Sequence, residues 1–193
     1  ETVPETQHFS DLDATKQALW EHKSQYQRKD DFSAEEFYER AGIWAEFGKI
    51  ICISVGYFKI HGDTRVFRTT SFYGEEQQLL QDFKNLLTTH FSHAKHLLCA
   101  HNGKEFDFPY SARRMIINNM ELPYKLNLFG KKPWEVPHLD TLELWKFGDY
   151  KTFTSLKLLT NVLGIPSPKD DIDGSEVFRV YYEENNIDRI ITY

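Results

Sequence analysis

The sequence predicts a single α/β domain, and three observations lead to that prediction. The chain has 193 residues, a length that fits one domain with a sizeable core. Strand-like apolar runs come early in the chain, and amphipathic helical patterns dominate after them. In residues 97–114, LLCAHNGKEFDFPYSARR, an apolar run gives way to a turn and then to a helix start.

The remaining elements follow from periodicity, capping residues and turn residues. Helical patterns lie at about 11–29, 33–47, 74–91, 109–117, 154–163, 175–184 and from 186 onward. Strand-like runs lie at 49–60, which is typical of a central strand, and at 64–72 and 96–100. Residues 138–145 are expected to pass from a strand into a helix, and the proline-rich 119–137 segment is too long for a plain connection.

Composition excludes several classes of protein. No apolar run approaches the length of a membrane span. The net charge of −6 does not indicate a nucleic-acid partner. It does not exclude one either, because in a site of carboxylates and divalent metal ions the metals supply the positive charge. Cys52 and Cys99 lie in apolar strand-like runs, so we expect reduced core thiols and a cytoplasmic protein.

Asp107 is the first candidate for chemistry, because it lies just beyond the carboxyl end of the 96–100 strand. Ligands bind at such places in open α/β sheets, although Asp is more often a helix cap there. Asp140 is likewise either a cap, which we favour, or an auxiliary acid. His101 is expected to be a structural or substrate-facing histidine. Carboxylates with few histidines favour Mg²⁺ or Mn²⁺ over zinc.

Three short motifs lie along the chain: Glu1 with the residues that follow it, His101-Asn102 with Phe106-Asp107 three residues later, and Tyr193. They resemble the motifs of DnaQ-like 3′→5′ exonucleases, which belong to the RNase H-like superfamily. His101-Asn102, three residues and then Phe106-Asp107 resemble the second motif of that family. Glu1 resembles the second half of its first motif, Asp-X-Glu, and Tyr193 the first residue of the tyrosine-type third motif, Tyr-X-X-X-Asp. Residues 153–157, 163–166 and 169–175 are similar to the predicted exonuclease group related to the proofreading domain of family B DNA polymerases.

The resemblance implies an RNase H-like fold over 1–193, with a central mixed sheet flanked by helices. It also implies that the first strand and the end of the last helix lie outside this chain. This chain on its own is therefore expected to be inactive. The implied activity is 3′→5′ exonuclease cleavage of single-stranded nucleic acid by a two-metal mechanism, with two Mg²⁺ or Mn²⁺ ions. Glu1 and Asp107 would be catalytic metal ligands, and the Tyr193 hydroxyl would orient the attacking water.

The same resemblance assigns contacts to the substrate. Thr2 and Asn102 would hydrogen-bond the terminal nucleotide, and Phe106 would stack against its base. His101 and Lys169 are further candidates for substrate binding. Each assignment has a plainer alternative: Phe106 and Tyr193 as core residues, and Lys169 as a solvated lysine.

Several alternatives remain open on the sequence alone. DNA is the favoured substrate and repair a possible pathway, but an RNA-trimming exonuclease would carry the same motifs. A nuclease fold kept as a non-catalytic module that binds nucleic acid or protein is the other alternative. Residues 125–157 hold six lysines and four acids, a weak indication that this stretch binds the nucleic-acid backbone. The oligomeric state is left open.

Overall fold

The protein is described from a computed structural model, which describes residues 1–29, 31–149, 151–166 and 172–193. These residues group into two compact units. The first contains Glu1–Leu79 and Asp173–Thr192, and the second contains Leu80–Ile172 and Tyr193. One exonuclease-like domain over 1–193 stays a prediction. No helix in the described ranges is long and apolar enough to cross a membrane.

The described residues form seven α-helices and six strands. The helices are α1 (Ala14–Arg28), α2 (Glu76–His90), α3 (Asp107–Ile117), α4 (Thr141–Lys146), α5 (Leu156–Val162), α6 (Val177–Tyr182) and α7 (Ile187–Thr192). The strands are β1 (Thr2–Pro4), β2 (Gly48–Ile50), β3 (Cys52–His61), β4 (Thr64–Tyr73), β5 (Cys99–Ala100) and β6 (Leu139–Asp140). Short 3₁₀ helices lie at Phe9–Asp11, Tyr38–Ile43 and Pro133–Glu135.

The α/β class is confirmed, but the described strands pair differently from the predicted central mixed sheet. They form three two-stranded sheets: β1–β2 and β3–β4 are antiparallel, and β5–β6 is parallel. The predicted 49–60 strand is divided at Ile51, and its two parts pair with different neighbours. β5 and β6 have two residues each, so they offer few backbone groups for further partners.

The first unit has an aromatic core around Trp20, which is fully buried. Phe37, Tyr38 and Phe47 pack in the same cluster, and the Trp20 indole N–H donates to the Ala34 carbonyl oxygen at 2.7 Å. This packing explains why the predicted helix over 33–47 is wrong. The Ser33–Glu36 capping box forms, but burial of the aromatic side chains draws the following residues into a 3₁₀ helix.

The β3–β4 hairpin also departs from its prediction as central sheet. Its two strands pair along their whole length, from Cys52 opposite Tyr73 to His61 opposite Thr64, around a two-residue turn. β4 is the only strand that pairs with β3 among the described residues. Many residues of the two strands are exposed, among them Phe58, Ile60 and Phe67. The apolar composition of 49–60 indicated a strand correctly, but it did not distinguish a buried strand from an exposed one.

The two cysteines differ in environment. Cys52 is buried, as predicted, and Cys99 is exposed, so the prediction of a core thiol at Cys99 is wrong. Successive side chains of a strand point to opposite faces of its sheet, so in the two-residue β5 Cys99 takes the exposed face and Ala100 the half-buried one. Both thiols are free.

Candidate active site

The parallel pair β5–β6 organises the candidate site of the second unit. Cys99 lies opposite Leu139 and Ala100 opposite Asp140, so both strands end at the same level. His101 follows the first strand directly, and Asp140 is the last residue of the second. The carboxyl ends of neighbouring parallel strands are where ligands bind in α/β proteins. The predicted motif therefore begins at the expected edge of the sheet.

Asp140 holds this edge together with its carboxylate. One oxygen, Oδ1, accepts hydrogen bonds from the backbone N–H groups of Asn102 and Leu142, both at 2.9 Å. The other, Oδ2, accepts from the Lys104 N–H at 3.1 Å. Asp140 is only 3% exposed. It is thus the N-cap of α4, as favoured from the sequence. It also fixes the turn at residues 101–106, which we call the motif turn, and the sequence did not indicate this second role.

The turn after β5 depends on two special backbone positions. Asn102 has φ 61°, in the left-handed region that Asn tolerates better than most residues. Gly103 is required for space, because a Cβ there would lie 2.5 Å from the Ala100 Cβ and 3.0 Å from the Phe108 ring. The sequence indicated Gly103 as a flexible turn position. In the structure its small size matters, and Asn102 is the residue that adopts the unusual conformation.

His101 is a structural histidine in this arrangement. Its Nε2 donates to the Thr154 carbonyl oxygen at 2.8 Å, because a carbonyl can only accept. In the neutral ring Nδ1 then accepts from the Thr141 hydroxyl, 3.0 Å away. Since both ring nitrogens bind protein groups, the structure favours the structural alternative for His101 over the substrate-facing one.

Asp107 is the first residue of α3, and Phe106 occupies the N-cap position before it. Asp107 is therefore not the N-cap residue itself but lies one position beyond it, in the first turn of the helix. The Asp107 side chain is exposed, although it takes part in an interaction within the chain. A carboxylate in the first turn is stabilised by the partial positive charge of the helix N-terminus. Asp107 is thus an accessible acid at the edge where the motif predicts one.

Phe106 is half-buried and packs against Tyr110 one turn along α3, with ring centroids 5.2 Å apart. The next residue, Phe108, is buried and contacts His138, with ring centroids 5.0 Å apart. The helix start therefore alternates between a half-exposed ring at Phe106 and a buried ring at Phe108. Both interpretations of Phe106 fit this half-buried position.

The segment around Lys125 is structural. Its ammonium group is buried and donates to the carbonyl oxygens of His93 and His96, at 2.7 and 2.6 Å. Lys125 is therefore not one of the lysines that could contact a nucleic-acid backbone. Its own carbonyl accepts from His138 Nε2 at 2.7 Å, and His138 Nδ1 accepts from the Leu98 N–H at 3.3 Å.

Burial lowers the pKa of His138, and the charges of Lys125 and Lys104 lower it further. The hydrogen bond that Nε2 donates to the Lys125 carbonyl opposes this lowering of the pKa only in part. Nδ1 accepts from the Leu98 N–H, and it cannot be protonated while it does so. A neutral His138 therefore connects the start of β5, β6 and the 119–137 segment.

The other predicted site residues are distributed over the chain. Glu1 and Thr2 are in the first unit: the Glu1 carbonyl accepts from the Ile51 N–H at 3.0 Å, and Thr2 pairs with Ile50 in β1–β2. Tyr193 follows α7, is half-buried and takes part in an interaction within the chain. Lys169 lies outside the described residues. The roles predicted for these four residues stay predictions.

In the described ranges, no group of three or more His, Cys, Asp or Glu side chains could hold a metal ion. Asp140, the acid that fixes the motif turn, uses its carboxylate oxygens to accept from three backbone N–H groups. Carboxylates have the right chemistry for Mg²⁺ or Mn²⁺. Their number and arrangement in the described residues do not make up such a site.

A sequence model of the RNase_H superfamily matches residues 38–193, which is most of the chain. The chain therefore belongs to the RNase_H superfamily. Its members are typically hydrolytic nucleases, so the match indicates a nuclease-type function and a nucleic-acid substrate. The match is to the superfamily as a whole and does not single out the DnaQ-like subgroup. No curated protein and no solved structure matches the chain.

Proposed function

We propose that this protein is a metal-dependent 3′→5′ exonuclease of the DnaQ-like type, which hydrolyses phosphodiester bonds at the 3′ end of single-stranded nucleic acid, with DNA favoured over RNA. The observation that carries the proposal is the motif turn: Asn102 and Asp107 follow β5 at the carboxyl edge of a parallel pair. A member of a nuclease superfamily with an accessible carboxylate at that edge has the beginning of a phosphodiesterase site.

Asp107 is the proposed catalytic acid of the second motif. Its exposed position in the first turn of α3 keeps the carboxylate accessible. The turn before it is fixed by Asp140, so the approach of a substrate to Asp107 is set by a rigid backbone. Fixed geometry of this kind is what positions a reacting group for catalysis.

Asn102 and Phe106 are the proposed contacts with the terminal nucleotide. The Asn102 backbone is held by Asp140, while its side chain is half-exposed and carries both a donor and an acceptor. The Phe106 ring is half-buried against Tyr110, an arrangement that fixes the ring and leaves part of it accessible for stacking on a base. On the resemblance alone, Thr2 and Lys169 are proposed to contact the substrate, and the Tyr193 hydroxyl is proposed to orient the attacking water.

Divalent metal ions belong to the proposal, with Glu1 and Asp107 as the acids of this chain that would hold them. The support is the superfamily, whose nucleases generally use divalent metals, together with the oxygen ligands that both acids provide. When bound, such ions stabilise negative charge on the phosphate. Metal dependence is therefore a testable part of the proposed function.

The central experiment measures the shortening of a single-stranded DNA oligonucleotide labelled at its 5′ end. The full-length protein is incubated with the oligonucleotide in Mg²⁺, in Mn²⁺ and in chelator. A ladder of products that all retain the label, formed only with metal, is the expected result. Release of labelled mononucleotide as the first product would contradict the 3′→5′ direction.

Asp107→Asn tests the site assignment, and Glu105→Gln is its matched control. Asp107→Asn keeps the shape of the side chain but removes its charge, so the rate should fall by about a hundredfold or more. Glu105 is an exposed acid in the same turn, and its replacement should leave the rate unchanged. Equal rates for wild type and Asp107→Asn would place the active site elsewhere.

The alternatives give different results in the same assay. An RNA-trimming exonuclease would shorten an RNA oligonucleotide faster than DNA of the same sequence. A non-catalytic module would bind single-stranded oligonucleotides without shortening them in any metal. Both comparisons use the same protein preparation.

A further inference from the structure

The β3–β4 hairpin has two faces that differ in burial. Directly opposed residues of an antiparallel pair lie on the same face, so the register assigns each residue to one of them. One face carries the half-buried residues Val55, Tyr57, Val66 and Thr70. The other carries the exposed residues Gly56, Phe58, Ile60, Arg65, Phe67 and Thr69, and we call it the open face.

The open face is aromatic and apolar at its centre. Phe58 and Ile60 are each 68% exposed, and Phe67 is 56% exposed. Phe58 lies directly opposite Phe67, and their ring centroids are 5.1 Å apart. Folding alone places apolar side chains on the protected face of a two-sided sheet and polar ones on the other. A contiguous exposed apolar patch is therefore evidence of an interaction surface.

Gly56 shows how the ring of Phe67 is placed. A Cβ at position 56 would lie 2.4 Å from the Phe67 ring, so only glycine lets the ring rest against the backbone of β3. The ring is thus held on one side by the strand, while 56% of the residue remains exposed. A ring fixed in this way is suited to stacking, because little side-chain freedom is lost when a partner binds.

The hairpin is positively charged although the whole chain has a net charge of −6. Residues 52–73 contain three cations, Lys59, Arg65 and Arg68, and one acid, Asp63, which gives a net charge of +2. Among the described residues, none of the three cations makes an ion pair. Arg65 lies on the open face beside Ile60, and Lys59 and Arg68 add charge from the other face.

We propose that the open face of the β3–β4 hairpin binds single-stranded nucleic acid, with bases stacked on Phe58 and Phe67 and phosphates against Arg65. Aromatic rings combined with unpaired cations are the features that bind single strands without sequence preference. The charge argues against a second copy of this chain as the occupant, since two such hairpins would repel each other. The inference rests on the nucleic-acid substrate of the proposed function and assigns nucleic-acid binding to a further surface of the first unit.

The experiment measures the binding of fluorescent single-stranded oligo(dT) and oligo(rU) by anisotropy, in chelator, so that no turnover occurs. Phe58→Leu/Phe67→Leu keeps the apolar contact between the strands but removes both aromatic faces. The Kd of this double variant should rise about tenfold or more, because each stacked base contributes appreciably to affinity. Tyr26→Leu, at an 87% exposed position of α1, is the control and should bind as wild type does.

Arg65→Gln tests the phosphate contact through its dependence on salt. The slope of log K against log salt should decrease in magnitude by about 0.7 for one lost contact with a single strand. Lys23→Gln on α1 changes the net charge equally and should leave the slope unchanged. Arg65 is exposed, so its replacement tests the proposal even if the double leucine variant folds poorly.

Unchanged Kd and unchanged slope in the hairpin variants would overturn the proposal, as would a wild-type protein that binds neither oligonucleotide. The hairpin variants could instead sediment at a lower mass than the wild-type protein and bind the oligonucleotides equally well. That result would identify a second copy of the chain as the occupant and overturn the proposal. Because the assay contains no metal, weaker binding by the variants supports the open face even if the wild type fails to shorten DNA. The exonuclease proposal and the binding proposal can therefore be contradicted independently.

Discussion

The motif turn after β5 and the open face of the β3–β4 hairpin differ in how accessible their polar and aromatic side chains are. In the turn, the carboxylate of Asp140 accepts three backbone hydrogen bonds, and both ring nitrogens of His101 bind protein groups. On the hairpin, Phe58 and Phe67 are mostly exposed and Arg65 makes no ion pair with any described residue. The polar groups of the turn are used in hydrogen bonds that fix its geometry, whereas the rings and the cation of the hairpin remain accessible to a ligand.

This difference indicates what each region contributes to the proposed function. A reacting site requires fixed atoms, since small displacements reduce the rate strongly. A surface that binds a strand without sequence preference requires accessible rings and cations. The two regions should therefore respond differently to mutation: the turn through the free energy of unfolding, and the hairpin through affinity for nucleic acid.

Asp140→Ala should have the largest effect on stability. It leaves the N–H group of Leu142 without its acceptor in a buried place, and those of Asn102 and Lys104 without theirs in a partly buried one. Unsatisfied buried donors cost about 1–3 kcal/mol each, so we expect a loss of about 3 kcal/mol or more in urea unfolding. Asp149→Ala is the control, because this exposed carboxylate also accepts a backbone hydrogen bond, from Lys151. Similar losses for the two variants would remove the distinction between a buried and an exposed acid.

Gly103→Ala should have the next largest effect. The added Cβ would lie 2.5 Å from the Ala100 Cβ and 3.0 Å from the Phe108 ring, closer than packed atoms approach. Overpacking of this kind costs about 1–3 kcal/mol. At Gly174 no atom lies within 4 Å of the equivalent Cβ, so Gly174→Ala should change the free energy of unfolding by less than about 0.5 kcal/mol. Equal stability of the two variants would show that the turn is less rigid than its contacts suggest.

His138 should make the stability of the second unit depend on pH. Its pKa in the folded protein is below the ordinary value of 6.5, so between the two values the unfolded chain binds more protons. The contribution is complete above about pH 6.5 and is lost as the pH falls toward the folded value. His138→Gln, which does not titrate, should therefore show a flatter fall of stability below pH 6.5 than wild type. His22→Gln on the exposed side of α1 is the control, and parallel curves for wild type and His138→Gln would contradict the prediction.

The sequence allowed the motif turn to be located, but it did not reveal the hydrogen bonds from Asp140 that hold the turn in place. The apolar run before His101 and the helix signals after Asp107 are local, and they predicted a strand, a turn and a helix correctly. The bond from Asp140 to Asn102 joins residues 38 positions apart, and no local pattern indicates it. The exposure of Cys99 was missed for a related reason, since the apolar run predicted a strand over 96–100 and only Cys99–Ala100 form one.

The hairpin shows a second limit of the sequence. Its composition and the turn at 61–63 predicted two strands, and both formed. The same apolar residues suggested burial, because β-branched and aromatic residues are common in central strands. Which face of a strand is exposed depends on the elements that pack against the sheet, and the composition of the strand itself does not show them. An aromatic strand with interspersed cations is the signal that could have indicated an exposed face.

The smallest effect on stability is expected at the hairpin, and it is the sharpest test of the comparison. Phe58→Ala/Phe67→Ala removes a cross-strand aromatic pair, which contributes roughly 0.2–1 kcal/mol. Both side chains are mostly exposed, so urea unfolding should show a loss within that range. A loss of 3 kcal/mol, equal to that expected for Asp140→Ala, would mean that the rings support the fold in the way that the turn does. The open face would then be structural, because rings that the fold requires are not free to bind a strand.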